Sequence, residues 1–77
     1  MAKKQNPSNE PSVYRITDVV GVSAQSWEDA ARNAVETASK SLRDLRVAEV
    51  MKLDVKIEDG KVVAFRTRVQ LSFKYDA

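Results

Sequence analysis

Cysteine and histidine are both absent from this 77-residue chain. Without cysteine no disulfide can staple a small fold, and without either residue a zinc site of the usual kind is excluded. The same absences remove cysteine and histidine from any nucleophile–base pair. Only two glycines are present, so neither a Gly-rich phosphate loop nor a dinucleotide fingerprint can be built. Gly21-Val22-Ser23 lacks the rest of a nucleophile elbow. No apolar run approaches the ~18–20 residues of a membrane span. The N-terminus has no apolar centre of a signal peptide. A cytoplasmic binding protein, rather than an enzyme or a membrane protein, is the expectation.

Strong charge of one sign is lacking too. Thirteen basic and eleven acidic residues leave a net charge of +2, part of it in the N-terminal tail. From Ser12 onward the chain is close to neutral, which argues against nucleic acid as a partner. The length allows one domain, and a domain this small is marginal without a staple. With disulfides and zinc removed, oligomerisation is the common staple that remains.

What is present is alternation. From Val47 to Tyr75 the chain reads as one long β-hairpin. Met51, Leu53, Val55 and Ile57 form one apolar row, with Lys52, Asp54, Lys56 and Glu58 between them. Beyond Asp59-Gly60 the apolar row resumes as Val63, Phe65, Val69, Leu71, Phe73 and Tyr75. A two-residue Asp-Gly loop would put the two rows on opposite faces. The expectation is therefore a three-residue loop, Glu58-Asp59-Gly60, with Val55 facing Val63 and Leu53 facing Phe65. That register sets Lys52 across from Arg66, an unfavourable pair that Asp54 or a neighbouring subunit has to relieve. The last strand would run about 14 residues, near 45 Å at ~3.3 Å per residue. The usual strand has about 5–6 residues. A chain this short cannot cover such a strand alone.

Residues 1–11 read as a disordered tail, polar and proline-containing. Val13 to Val22 reads as the first strand, with Tyr14, Ile16, Val20 and Val22 as its apolar row and Asp18 interrupting it. Gly21 suggests a bulge or a close backbone approach. Ser26 to Leu45 reads as a helix, with Ser26 as N-cap and Asp29 answering it. Its apolar stripe is Trp27, Ala30, Ala31, Ala34, Val35, Ala38, Leu42 and Leu45. A stripe of alanines lets a sheet come close but buries little area, so the lone subunit is under-stabilised. Trp27 reads as core or interface. The first strand can lie beside either strand of the hairpin.

Strand, helix, strand, strand, with these landmarks, resembles the dodecin family. The resemblance runs from about Val13 to Tyr75. It is carried by Val13-Tyr14-Arg15, Val20-Gly21-Val22-Ser23, Ala30-Ala31, Leu42-Arg43-Asp44-Leu45, Glu49-Val50, Asp59-Gly60-Lys61 and Val69-Gln70-Leu71-Ser72-Phe73. It implies an α+β fold over residues 12–77, β-α-β-β, with a three-stranded antiparallel sheet partly wrapped around one helix. It also implies a hollow homo-dodecamer built from four trimers.

Flavin-binding dodecins stack the flavin on a tryptophan just before the second strand and hydrogen-bond it with a glutamine on the third. The matching positions here are Val47 and Arg66. Valine has no π face to stack on, and arginine keeps donors but has no acceptor. Flavin (FMN or riboflavin), the family's cofactor, is therefore expected to bind weakly at best. Arg46 adjoins the same corner, so the remodelled pocket is expected to prefer an anion to a neutral ring. Arg46-Val47-Ala48-Glu49-Val50 looks more like the calcium-associated dodecin subgroup, which also lacks the tryptophan. Asp18, Glu49 and Asp54 are the candidate calcium ligands, and they follow no EF-hand spacing. The alternatives are a flavin-binding and storage dodecin, or a nucleic-acid or protein-interaction module on the basic row Lys52, Arg66 and Arg68. That row lacks the aromatic pattern of an RNA-binding sheet.

Overall fold

A computed structural model of the chain describes residues 12–74. The expected disordered tail lies outside them. In order, the elements are β1 (Tyr14–Ser23), α1 (Trp27–Ala38), β2 (Leu45–Glu58) and β3 (Lys61–Lys74). The strands form one antiparallel sheet in the order β1-β3-β2. The helical crossover thus sets β1 beside β3, the choice that the alternation left open. One face of β1 and β3 meets the helix, and β2 lies largely beyond its reach.

The helix starts where expected. Ser26 Oγ accepts from the Asp29 backbone N–H at 2.9 Å, and Glu28 and Asp29 sit in the first turn. These acids favour the positive end of the helix dipole. The loop before it is tied in the same way. Ser23 Oγ donates to Asp29 Oδ2 at 2.7 Å and accepts from the Gln25 N–H at 2.8 Å. The helix ends earlier than the apolar spacing suggests, at Ala38 rather than Leu45. Ser39 donates its hydroxyl to the Glu36 carbonyl at 2.8 Å, and Ser41 N–H closes a tight turn on Ala38 at 3.0 Å. Serine side chains compete with the helical backbone in this way. Asp44, at φ 59°, then turns the chain into β2. Leu42 and Leu45 still pack on the core, but from the turn and the strand.

Gly21 marks a close backbone approach, without a bulge. The β1–β3 register runs unbroken through it, and a Cβ there would collide with the carbonyl oxygen of Ala30. Strand and helix can come this close because small residues face small residues. Val19, Gly21 and Ser23 look toward the helix, where Ala30 and Ala34 are buried. This reverses the expected facing of β1. Its larger apolar row, Tyr14, Ile16, Val20 and Val22, lies on the opposite face, 47, 54, 50 and 51% exposed.

The hairpin turn also differs from expectation. Asp59 (φ 52°) and Gly60 (φ 76°) form a two-residue loop closed by Glu58 opposite Lys61. Positive φ at both central residues is what a type I′ turn requires. A register shift between Lys56 and Ile57 then brings the rows back into phase. A bulge, not a longer loop, resolves the mismatch. Val55 pairs with Phe65, Leu53 with Thr67, and Ile57 with Val62. Lys52 lies opposite Arg68, not Arg66, and Asp54 is the residue opposite Arg66.

The buried apolar core is small: Ala30, Ala34, Val69 and Leu71 among the described residues. Trp27 closes one end of it, edge-on to Phe65 at 5.2 Å between ring centroids. Its indole N–H donates to the Asp54 carbonyl at 2.9 Å, so the helix start is fastened to β2.

Candidate functional site

Five of the six residues singled out from the sequence, all but Arg46, lie on one surface, the sheet face turned away from the helix. Antiparallel partners share a face, so the register lays this surface out in rows of β1, β3 and β2. Ile16, Ser72 and Val47 form one row. Asp18, Gln70 and Glu49 form the next, followed by Val20, Arg68 and Lys52, and then by Val22, Arg66 and Asp54.

Val47 and Arg66 share this face but do not meet. Val47 is level with Ser72, six residues along β3 from Arg66, or roughly 20 Å at ~3.3 Å per residue. A site that uses both has to be completed by a second subunit. Val47 is 58% exposed. Arg46 is the extra residue of a bulge between Leu45 and Val47, and its guanidinium stands 4.0 Å from Asp44 Oδ1.

Arg66 is already engaged. Its Nε donates to Asp54 Oδ1 at 2.7 Å and a terminal nitrogen donates to Oδ2 at 3.1 Å, a two-point pair. The hydrogen bonding from Arg66 holds the Asp54 carboxyl below its ordinary value against an opposing loss of hydration, and the fields of Arg66 and Lys52 add to the lowering. The same pairing raises Arg66 further above its already high value. Both groups are charged at any physiological pH.

Asp18 and Glu49, two of the candidate calcium ligands, fall in one row on either side of Gln70. Asp18 also meets Arg68 at 3.3 Å. Glu49 has no hydrogen-bond or ion-pair partner among the described residues. Asp54 lies two rows away and is tied to Arg66. Among the described residues no three acidic side chains gather closely enough to hold a metal ion. Calcium takes about 6–8 oxygens, so the acids of one chain do not fit the ion unaided. Gln70 is the neighbour that sequence reasoning missed. Its position between two acids depends on the pairing of all three strands, which alternation within a strand does not reveal.

Two open grooves lie elsewhere. One of about 470 Å³ runs between β1 and the helix, past Val19, Gly21, Ala34 and Ala38. The other, about 360 Å³, lies at the far end around Leu42, Arg43 and Phe73. None of the six candidate residues lines either groove. Among the described residues, no helix is long and apolar enough to cross a membrane.

Comparison with known proteins agrees with this architecture. The family model for dodecin matches residues 13–76. Calcium dodecin of Mycobacterium tuberculosis is 40% identical over 63 residues, 82% of this chain and 89% of that protein. Its crystal structure, described as that of a calcium-chelating immunodominant antigen with a novel calcium-binding site, superposes with a TM-score of 0.75 at 41% identity. It covers 84% of this chain and 93% of that one. Dodecin of Streptomyces coelicolor gives a TM-score of 0.81 at 40% identity, with coverage of 91% and 97%. Dodecin of Streptomyces davaonensis gives 0.81 at 29%, with coverage of 88% and 100%. Fold and sequence agree, and the chain belongs to the dodecin family.

Proposed function

We propose that the chain assembles into a dodecin-type closed homo-dodecamer of four trimers in the cytoplasm, and that this shell binds and sequesters a small ligand without catalysing a reaction. One observation carries the assembly: the mismatch between core and surface. Among the described residues four small or medium apolar residues are buried, while apolar side chains stand uncovered on both sheet faces. Tyr14, Ile16, Val20, Val22 and Val47 lie on the outer face. Val50 and Leu53 lie on the inner face of β2, past the edge of the helix. Large apolar side chains left uncovered in this number, beside so small a core, are what contact with other subunits would cover.

Calcium is the ligand this reading favours. The M. tuberculosis relative is a calcium chelator by its description, and this chain offers Asp18 and Glu49 beside Gln70, with Asp54 more distant. A shared site between subunits would supply the oxygens that one chain lacks. An anionic ligand at Arg46 and Arg66 has less support, since each guanidinium already faces a carboxylate. A flavin store is disfavoured by Val47 in the stacking position. A nucleic-acid surface is disfavoured by charge balance: Lys52, Arg66 and Arg68 are interleaved with Asp18, Glu49 and Asp54. Calorimetric titration of the assembled protein with calcium tests the ligand. Saturable binding weakened at least tenfold by Glu49→Gln supports the reading. Absence of calcium binding by an intact shell contradicts it.

A further inference from the structure

We propose that the outer sheet face packs against the same face of a second copy about a two-fold axis, with Glu49 of each copy paired to Lys52 of the other. This rests on the proposed assembly and specifies one of its contacts.

The basic side chains of β3 on this face are matched within the chain. Asp54 holds Arg66 with both oxygens, at 2.7 and 3.1 Å, and Asp18 meets Arg68 at 3.3 Å. Glu49 and Lys52 are left over. Both are exposed, and neither has a hydrogen-bond or ion-pair partner among the described residues. Lys52 also lies opposite Arg68, and like charges directly across a ladder are destabilising. Its field reaches Asp54, but Arg66 already holds that carboxylate.

The order of the rows makes the leftover charges complementary. Along the strands the face is apolar at Ile16 and Val47, acidic at Asp18 and Glu49, basic at Arg68 and Lys52, and apolar again at Val22. An axis lying between two such sheets, crossing the strands between the acidic and basic rows, reverses this order in the second copy. Each Glu49 then faces Lys52 of the other copy. Gln70, whose amide carries an acceptor oxygen, faces Arg68, and Ile16 faces Val22. Val47 falls over Asp54, and Asp18 over Val20, each acid still held by its own arginine. Packed sheets lie roughly 10 Å apart, a gap that a lysine and a glutamate span together. The other two-fold, parallel to the strands, sets like rows together with β1 over β2. It would stack Asp18 on Glu49 and leave Lys52 over Val20, so the charges select the first axis. The apolar residues supply the burial. A buried ion pair roughly breaks even in affinity but fixes the register. A carboxylate has two oxygens, so pairing with lysine leaves one for a shared metal ion.

Charge reversal tests the pairing, read by native mass over a dilution series at low salt, with circular dichroism to check folding. Glu49→Lys and Lys52→Glu should each raise the concentration at which the shell dissociates into trimers by about tenfold, because like charges then meet at every such contact. Glu49→Lys with Lys52→Glu should restore the parent's value within about threefold. Added salt should narrow these differences. The pairing is overturned if either single reversal leaves the assembly unchanged, or if the double variant is no better than the worse single one. It is overturned too if Glu49→Lys strengthens the shell, as the axis parallel to the strands requires. Should a reversal fail to fold, Glu49→Gln and Lys52→Gln replace it. Each should weaken the shell, and the second substitution should add little to the first, whereas fully additive effects overturn the pairing. A parent that is not a dodecamer overturns the assembly and this contact with it. Failure of the charge variants in an intact shell overturns this contact alone.

Discussion

The hydroxyl of Thr67 donates to the backbone carbonyl of Trp27 across 2.8 Å, tying the middle of β3 to the first turn of a helix 40 residues earlier in the chain. Thr67 is fully buried. Thr67→Val keeps the shape and removes the donor. It should cost about 0.5–1.5 kcal/mol, the net worth of one such bond. Thr67→Ser should keep the bond and lose only a methyl group. Urea unfolding at one fixed protomer concentration should place Thr67→Val below the parent. Equal midpoints would show that the bond contributes nothing.

The two glycines should respond differently to alanine. At Gly21 a Cβ would overlap the Ala30 carbonyl, which is backbone and cannot step aside. Overpacking of that kind costs about 3 kcal/mol or more, so Gly21→Ala should fail to fold or assemble. At Gly60 the space is open but φ is +76°. Gly60→Ala should cost about 1–2 kcal/mol through backbone strain alone. Circular dichroism and native mass of both variants check the contrast. A well-assembled Gly21→Ala would contradict the close approach.

The Asp54–Arg66 pair gives a pH dependence of definite sign. Asp54 has a folded-state pKa below its ordinary value of 3.8. Its contribution is therefore fully present above the unfolded value and is lost as pH falls through the folded one. The stability difference between parent and Asp54→Asn should be flat near neutral pH and shrink below about pH 4. A difference that grows on acidification contradicts the pairing. Both groups are exposed, so added salt should reduce the difference at neutral pH.

Flavin affinity should be low. A ring stacked on an aromatic side chain gains ~1–3 kcal/mol, and losing that at Val47 weakens binding about 5- to 150-fold. Strong quenching of riboflavin at submicromolar protein would show that the site lies elsewhere. Val47→Trp with Arg66→Gln should raise riboflavin affinity. An intact shell that gains nothing would refute the assignment of these two positions.

Much of this architecture is legible in the residues. Ser26 and Asp29 mark the helix start, Gly21 the close approach, and Asp59-Gly60 the turn. The face of β1 is not legible by apolar content. Val19, Gly21 and Ser23 face the helix because its own stripe is alanine and sits too near for larger side chains. The hairpin register is hidden by the shift after Lys56, which alternation alone reads as a longer loop. The helix end is missed because Leu42 and Leu45 keep the helical spacing while three nearby hydroxyl residues, Thr37, Ser39 and Ser41, disfavour the helix. In the candidate site, the acids and Arg66 are visible singly. The pairing of Asp54 with Arg66 and the place of Gln70 between Asp18 and Glu49 belong to the cross-strand register.

Native mass spectrometry from mild solution tests the central claim most directly, because the proposed assembly is what would cover the exposed apolar side chains. The expected particle has twelve times the 8.6 kDa chain mass, dissociates through trimers, and falls apart when Val20→Asp places a charge in the exposed apolar row. A stable monomer or dimer at micromolar concentration would contradict the account.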